Sequence, residues 1–429
     1  MTGTIDLLDL DRWARDGIPH EWFAEKRGDA PVWRHPGRAG EPGFWVVSGH
    51  EQVVELGRCP HAMSSDEDNG GVTGLGVGDE LQDLLANSFE TAALGANDDG
   101  SSKLKQLLTM DPPEHTANRK LVNRSFTPRT IAELEPSSRE LAAALLDAHA
   151  DGEVFDFTTE VAMPLPMQVI GDMLGAPREQ HLDLLQWSNE VVATTDPEYL
   201  AGRGDDTQLI AGVLLARLFI ELREAELAGR RGPAGARRDL VSVLANAEVG
   251  GEVLEPVRYA LYLLLLATAG NETTRNAMSH GIWAFARFPD QWERLRADRT
   301  LLPSAVDEVL RWSSPLLYFR RNALVSMTVA GAEIEPGDIV SLWYASANFD
   351  EAVFDDPQRF DIGRNPNPHV TFGGGGPHFC LGASLARLEI RVLLEEMLDR
   401  YGHIEVAGPV ERLRSNLLHG VKHLPVRLR

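Results

Sequence analysis

Residues 371–389, TFGGGGPHFCLGASLARLE, set four glycines, a proline and one of the chain's two cysteines directly before an apolar helical repeat. Leu381, Leu385, Leu388 and Val392 recur at helical spacing, with Arg387 and Glu389 among them. Cys380 therefore stands at or just before a helix N-terminus. Unpaired amide N–H groups and the positive end of the helix dipole favour a thiolate over a thiol there. A thiolate is a nucleophile or a metal ligand, so the fold must bring this loop against whatever the sulfur serves.

Composition narrows the setting. A chain of 429 residues suggests two or three domains by length alone, yet no repeat or composition shift marks a boundary, and residues 1–429 read as one unit. Sixty-four acidic against 41 basic residues give a net charge of −23, which argues against a nucleic-acid binder. Two cysteines exclude a disulfide framework and a four-cysteine zinc site, and Cys59 reads as a lone structural or surface thiol. The N-terminus carries Asp6, Asp9 and Asp11 and no basic residue before Arg12, unlike a secretory signal. The longest apolar run, Ala260 to Gly270, is about half a membrane span. The expected location is cytoplasmic.

Helical periodicity dominates, over 137–150, 178–192, 207–227, 255–288 and 302–312. Strand-like pieces are confined to 43–49, 327–344 and the tail from His419. The fold class expected is mainly α with minor β. Residues 66–104, rich in Gly, Asp, Asn and Ser, read as a long loop of the kind that forms lids or binding segments, and 228–239 as an exposed Gly/Arg connector.

Three simple readings of the cysteine loop fail or fit poorly. A phosphate loop needs Gly-Lys-Ser/Thr before its helix, which GGGGPHFC lacks. The other glycine cluster, Gly74 to Glu80, misses the third glycine of a dinucleotide fingerprint. In a cysteine nucleophile, a base two residues away in an extended loop would point to the opposite side, which disfavours His378. A loop that lets a flat, bulky group lie against backbone, with the thiolate as axial ligand, fits a cysteine-held haem.

FGGGGPHFCLGASLAR resembles the haem-binding signature of the cytochrome P-450 family at Gly376, His378, Cys380 and Gly382. Phe372 lies eight residues before the cysteine, one farther than usual, as in actinobacterial members acting on steroids and methyl-branched lipids. The family also carries an E-x-x-R pair, and the chain has six, starting at Glu55, Glu255, Glu272, Glu293, Glu308 and Glu411. Each alone reads as a surface pair contributing roughly 0.2–0.5 kcal/mol. Glu308 and Arg311 stand out, in an apolar helix with Arg311 69 residues (380 − 311) before Cys380. By the resemblance they are structural and lock that helix to the segment 354–369.

The resemblance further implies heme b (iron protoporphyrin IX) in a single triangular, helix-rich haem domain, with Cys380 as metal ligand. His115 and Arg119, at i,i+4 on one helix face, would bind the propionates with Arg321, for which Arg320 competes, and His378. Ala269, Gly270, Glu272 and Thr273 match the family's oxygen-side motif in a helix expected to carry a local defect, since a helical glycine costs about 1 kcal/mol and threonine can bend a helix. Gly270 would leave room for dioxygen, Thr273 would donate a hydrogen bond there, and Glu272 would feed protons inward. The reaction implied is monooxygenation, R–H + O₂ + 2e⁻ + 2H⁺ → R–OH + H₂O. The electrons would come from a ferredoxin with an NAD(P)H-dependent reductase, docking on a basic patch of Arg119, Lys120, Arg124 and Arg391. Leu265, Leu316, Leu317 and Leu418 are candidate substrate-pocket residues, and their apolar character favours a lipid, steroid or terpenoid. Oxidation or bond coupling of a secondary metabolite, a peroxide-driven peroxygenase and a non-catalytic haem sensor are the alternatives.

Overall fold

The computed structural model describes residues 5–38, 42–72, 75, 105–192, 196–200, 207–232 and 238–429. Its axis is a 32-residue helix, Pro256–Arg287, which starts with Pro at the first helical position, where the missing N–H costs nothing. Apolar side chains occupy almost every direction around the stretch 257–267, so this helix is buried rather than amphipathic. Packed around it are Pro164–Leu174, His181–Val192, Thr207–Leu227, Leu302–Ser313 and Ala383–Arg400. Leu215, Phe219, Ile170, Val309, Leu393 and Met397 from these neighbours share one apolar cluster with Leu263 and Ala267 of the long helix. Each fully buried side chain of this kind contributes about 1.5–3 kcal/mol of transfer free energy. Gly281 lets the long helix approach Leu302–Ser313, because a Cβ there would lie 2.8 Å from Val309 Cγ1.

A five-stranded sheet flanks the helices in the order Val32–His35, Phe44–Val47, Ile339–Leu342, Phe319–Ala323, Met63–Ser64. Its only parallel pair joins Phe44–Val47 to Ile339–Leu342, with Trp45 opposite Val340, and so fastens the N-terminal part of the chain to its last third. In the antiparallel pair beside it, Arg321 faces Val340 and Arg320 faces Ser341. Side chains alternate along a strand, so Arg320 and Arg321 point to opposite faces. A smaller sheet joins Ile404–Val406, Pro425–Leu428 and Val154–Asp156. The architecture is mainly α with minor β, as expected. Among the described residues no helix is long and apolar enough to cross a membrane.

The strongly periodic segments are helical within a few residues of their expected bounds, except that Arg178–Gln180 is a separate 3₁₀ turn before His181–Val192. The region 327–344 resolves into three short strands. Most of the expected loop 66–104 and residues 233–237 of the expected connector lie outside the described residues.

Candidate active site

The cysteine loop packs against the helix His50–Gly57 and Arg58 that follows it. Gly373, Gly374, Gly375 and Gly376 all have positive φ, between 69° and 116°, which L side chains rarely adopt. At Gly376 a Cβ would lie 2.4 Å from the Gly57 carbonyl oxygen. Four glycines thus fold a tight loop against a neighbouring helix end. Phe372 is buried in the core with the Arg387 guanidinium 4.6 Å over its ring, and its carbonyl accepts the Cys380 amide at 3.0 Å. The extra residue between Phe372 and Cys380 is absorbed within the glycine run.

Cys380 lies two residues before Gly382, the N-cap of the helix Ala383–Arg400. It is exposed, yet protein surrounds it closely enough that burial pushes its thiol up, while the Gly382 amide and the Arg119 and Arg387 guanidiniums pull it back. The sulfur thus has one amide donor and two guanidinium charges near it and an open side. A coordinating metal would deprotonate such a thiol outright. Cys59 is also a free thiol, so the two cysteines are not bridged.

Four basic side chains gather beside this open side. The His115 and His378 rings meet tilted at 41°, with centroids 4.2 Å apart, and both imidazoles are held below their usual range, chiefly by burial. For His378 the next causes are the charges of Arg321, His115 and Arg119. Arg119 donates to the Pro377 carbonyl at 2.9 Å and the Phe379 carbonyl at 2.6 Å. Arg321 is 5% exposed and donates to the Arg320 carbonyl, whereas Arg320 turns the other way and donates to Asn322 Oδ1 at 3.1 and 3.0 Å. The Asp111 carboxylate is the acid nearest this group, and it is occupied by Ser64 Oγ and the Ser65 amide. His115 Nδ1 and His378 Nε2 are buried without a partner among the described residues. The Arg119 and Arg321 charges thus gather with no free carboxylate among the described residues, which is unfavourable for the buried Arg321. Two propionates would supply the missing charge, so the residues present fit a haem.

The long helix turns a narrow strip to open space. Leu265, Gly270 and Thr273 are part-exposed and Ala269 exposed, while Leu264, Leu266, Ala267, Thr268, Asn271, Glu272 and Thr274 around them are buried. The helix is continuous through Gly270, so the expected defect is not a break. Thr273 Oγ1 donates to the Ala269 carbonyl at 2.9 Å, which ties up one intrahelical acceptor. A Cβ on Gly270 would meet Ile170 of Pro164–Leu174 at 3.4 Å. That is an ordinary contact, and Gly270 and Ala269 both border the open strip.

Two of the six E-x-x-R pairs close as buried ion pairs. Arg311 Nε and Nη2 each reach Glu308 at 2.8 Å, and both side chains are fully buried. Arg311 also donates to the carbonyls of Asn348 and Pro357, while Glu308 accepts from the Asp361 amide, Arg364 and Asn367. The other pair, Glu272 with Arg275, is buried rather than on the surface, because both project from the inner side of the long helix. Asn276 Nδ2 donates to the same Glu272 oxygen at 3.0 Å. Sequence spacing does not reveal this, since E-x-x-R reads alike on a wet or a buried helix face. The roles of Arg364 and Asn367 were likewise not legible, as their partner lies more than 50 residues away in sequence.

Two further expectations change. Leu317 is 1% exposed and packs with Tyr318 and Trp343 in a second apolar cluster, on the side opposite its neighbour Leu316. Leu316 is part-exposed and bridges Leu418, so these two and Leu265 remain pocket candidates. In the expected basic patch, Arg391 is paired with Glu135 and Glu395 and Arg119 is turned inward, which leaves Lys120 and Arg124 as its exposed members.

Comparison with known proteins places this geometry. Residues 214–418 match the family model "Cytochrome P450". A steroid C26-monooxygenase of Rhodococcus jostii is 38% identical over 427 residues, covering 98% of this chain and 84% of that protein. A methyl-branched lipid omega-hydroxylase of Mycobacterium tuberculosis is 37% identical, covering 99% and 93%. The structure of Mycobacterium marinum cytochrome P450 CYP268A2 in complex with pseudoionone superposes with a TM-score of 0.86 at 35% identity, covering 99% of this chain and 98% of that one. With a thiol, a basic quartet and an open strip of helix brought together as described, and with relatives this similar over its whole length, the chain belongs to the cytochrome P450 family and is a monooxygenase.

Proposed function

We propose that the chain holds iron protoporphyrin IX through Cys380 and hydroxylates an apolar, methyl-branched lipid or steroid at a terminal carbon. The observation that carries this is the quartet of buried His115 and Arg321 with part-exposed Arg119 and His378, which finds no free carboxylate among the described residues. Bound there, the haem would supply the activation of dioxygen at the expense of two electrons.

The protein's own side chains do the rest. Cys380 would hold the iron as a thiolate, favoured by the Gly382 amide and the Arg119 and Arg387 charges. Ala269 keeps the facing strip free of bulk, and the Thr273 hydroxyl stands one helical turn on, able to present a hydrogen bond into that space. Glu272 is the nearest acid in sequence to that hydroxyl and stores a proton path inside the helix bundle. Leu265, Leu316 and Leu418 exclude water and orient an apolar chain.

The steroid and methyl-branched lipid substrates in the names of the two relatives support the substrate class. Electrons would come from a small ferredoxin with an NAD(P)H-dependent reductase. The exposed Lys120 and Arg124, at and just beyond the end of the helix that carries His115 and Arg119, suit an acidic donor. Spectral titration of the holoprotein with a sterol ketone, a methyl-branched fatty acid and an aromatic peptide tests the reading. Terminal hydroxylation of the sterol or the branched acid is expected. A spectral response and product from the aromatic peptide alone would contradict it.

A further inference from the structure

Two guanidinium charges favour the Cys380 thiolate, and they are held differently. Arg119 is bonded to carbonyls of the cysteine loop itself, whereas Arg387 sits on the helix Ala383–Arg400 and is fixed from a second element. Its Nε–H donates to Asp307 Oδ1 of the helix Leu302–Ser313 at 2.9 Å, and its guanidinium lies 4.6 Å over the Phe372 ring. The Phe372 carbonyl in turn accepts the Cys380 amide at 3.0 Å. His369 Nε2 lies 3.4 Å from the same Asp307 oxygen, and its ring stands 5.7 Å from that of Phe372. Burial raises the Asp307 carboxyl, but the bonds to His369 and Arg387 more than offset it and hold the group below its usual range, so Asp307 is an anion at neutral pH.

Taken alone, Asp307 and Arg387 form a part-exposed ion pair, and such pairs stabilise little. Their geometry suits another task. A guanidinium laid on an aromatic face and bonded at Nε has few orientations left, so its charge is placed rather than free to wander. One electron passes from the ferredoxin, which is oxidised, to the haem iron, which is reduced, and it adds one negative charge to the site. A fixed cation nearby favours that change. We propose that Arg387 biases the haem site toward reduction, and that Asp307 is the positioning residue that keeps its guanidinium on Phe372 near Cys380. The inference rests on the reading of Cys380 as the iron's ligand. With the Arg387 side chain 40% exposed, water and salt screen its charge, so the bias is modest.

Dye-mediated reductive titration of the holoprotein, without substrate or ferredoxin, tests it in the wild type, Arg387→Gln, Arg387→Lys, Asp307→Ala and the double variant of Asp307→Ala with Arg387→Gln. Arg387→Gln should lower the equilibrium constant for reduction about threefold, which is about 30 mV at about 59 mV per tenfold. Arg387→Lys keeps the charge without the planar group and should fall between that variant and the wild type. Asp307→Ala is decisive by its sign. An anion acting only through its own charge disfavours reduction, so its loss would raise the constant, whereas loss of a positioning residue should lower it. The double variant should fall no further than Arg387→Gln, because the two residues act through one guanidinium. An unchanged constant in Arg387→Gln, or a raised one in Asp307→Ala, would overturn the inference. So would slower reduction by ferredoxin at an unchanged constant, which would assign Arg387 to donor docking instead. The ferrous carbonyl band, recorded for every variant, keeps the two readings apart. Its absence from the wild type counts against Cys380 as ligand, and an intact band with an unchanged constant counts against the role of Arg387.

Discussion

Thr273 illustrates how one hydroxyl can govern the outcome without governing the fold. Its Oγ1 donates to the Ala269 carbonyl on the open strip, so Thr273→Ala removes a donor and leaves the helix ladder intact. NADH oxidation should continue while product per NADH falls several-fold and hydrogen peroxide rises; unchanged coupling would assign the role elsewhere, with buried Thr274 next in line. On the other side of the site, Arg321→Ala should weaken haem retention, measured as haem transfer to apomyoglobin, whereas Arg320→Ala should not, because Arg320 is turned toward Asn322. This choice was not legible from two adjacent arginines and became so once the strand register set them on opposite faces. Cys380, His115, Arg119 and His378 were expected together from a resemblance of motif, and the fold does bring the four together. Glu272's partner was not, since a spacing carries no information on burial.

The elements that hold the site depend on two local devices. The Glu308–Arg311 pair joins the helix Leu302–Ser313 to the backbone of Asn348, Pro357 and Asp361. Removing the acid leaves a fully buried guanidinium, at a cost of roughly 3–5 kcal/mol. Glu308→Ala should therefore give little folded, haem-loaded protein, and a stable variant with full haem content would contradict a structural role. The glycine loop is the second device. Gly376→Ala forces a Cβ to within 2.4 Å of the Gly57 carbonyl at a φ of +80°, so it should lower the haem content of purified protein more than Gly331→Ala, where nothing lies within 4 Å. Helices were the legible elements because long apolar periodicity, as in Thr207–Leu227 and Pro256–Arg287, survives tertiary context. The strand Phe319–Ala323 was missed because its sequence, FRRNA, is mostly polar. It is nonetheless almost wholly buried, with Arg321 donating to the Arg320 carbonyl, Arg320 to Asn322 Oδ1 and Asn322 to the Gly71 carbonyl. Leu317 was misplaced for a related reason: adjacent leucines in an extended segment must face opposite ways.

At the scale of the molecule, buried His280 and part-exposed His20 and His419 join distant parts of the chain. His280 Nε2–H donates to the His419 carbonyl, His419 Nδ1–H donates to the Ser313 carbonyl, and the two rings stack at 3.8 Å. Burial lowers His20 to about 3 and His419 to about 4, with the His419 charge adding to the effect on His20. These groups are neutral in the folded state and bind protons on unfolding below about pH 6.5. Stability is therefore fully present above that pH and is lost as pH falls toward 4, by about 1.4 kcal/mol per pH unit for each histidine. Urea midpoints measured from pH 7.5 to 5 should fall accordingly, and His419→Asn should flatten the slope by about one proton's share. The central claim concerns the sulfur that this whole arrangement positions. Carbon monoxide added to the reduced holoprotein tests it most directly: the account predicts the strongly red-shifted Soret band of thiolate ligation in the wild type and its loss in haem-loaded Cys380→Ala. Persistence of that band without Cys380 would contradict the account.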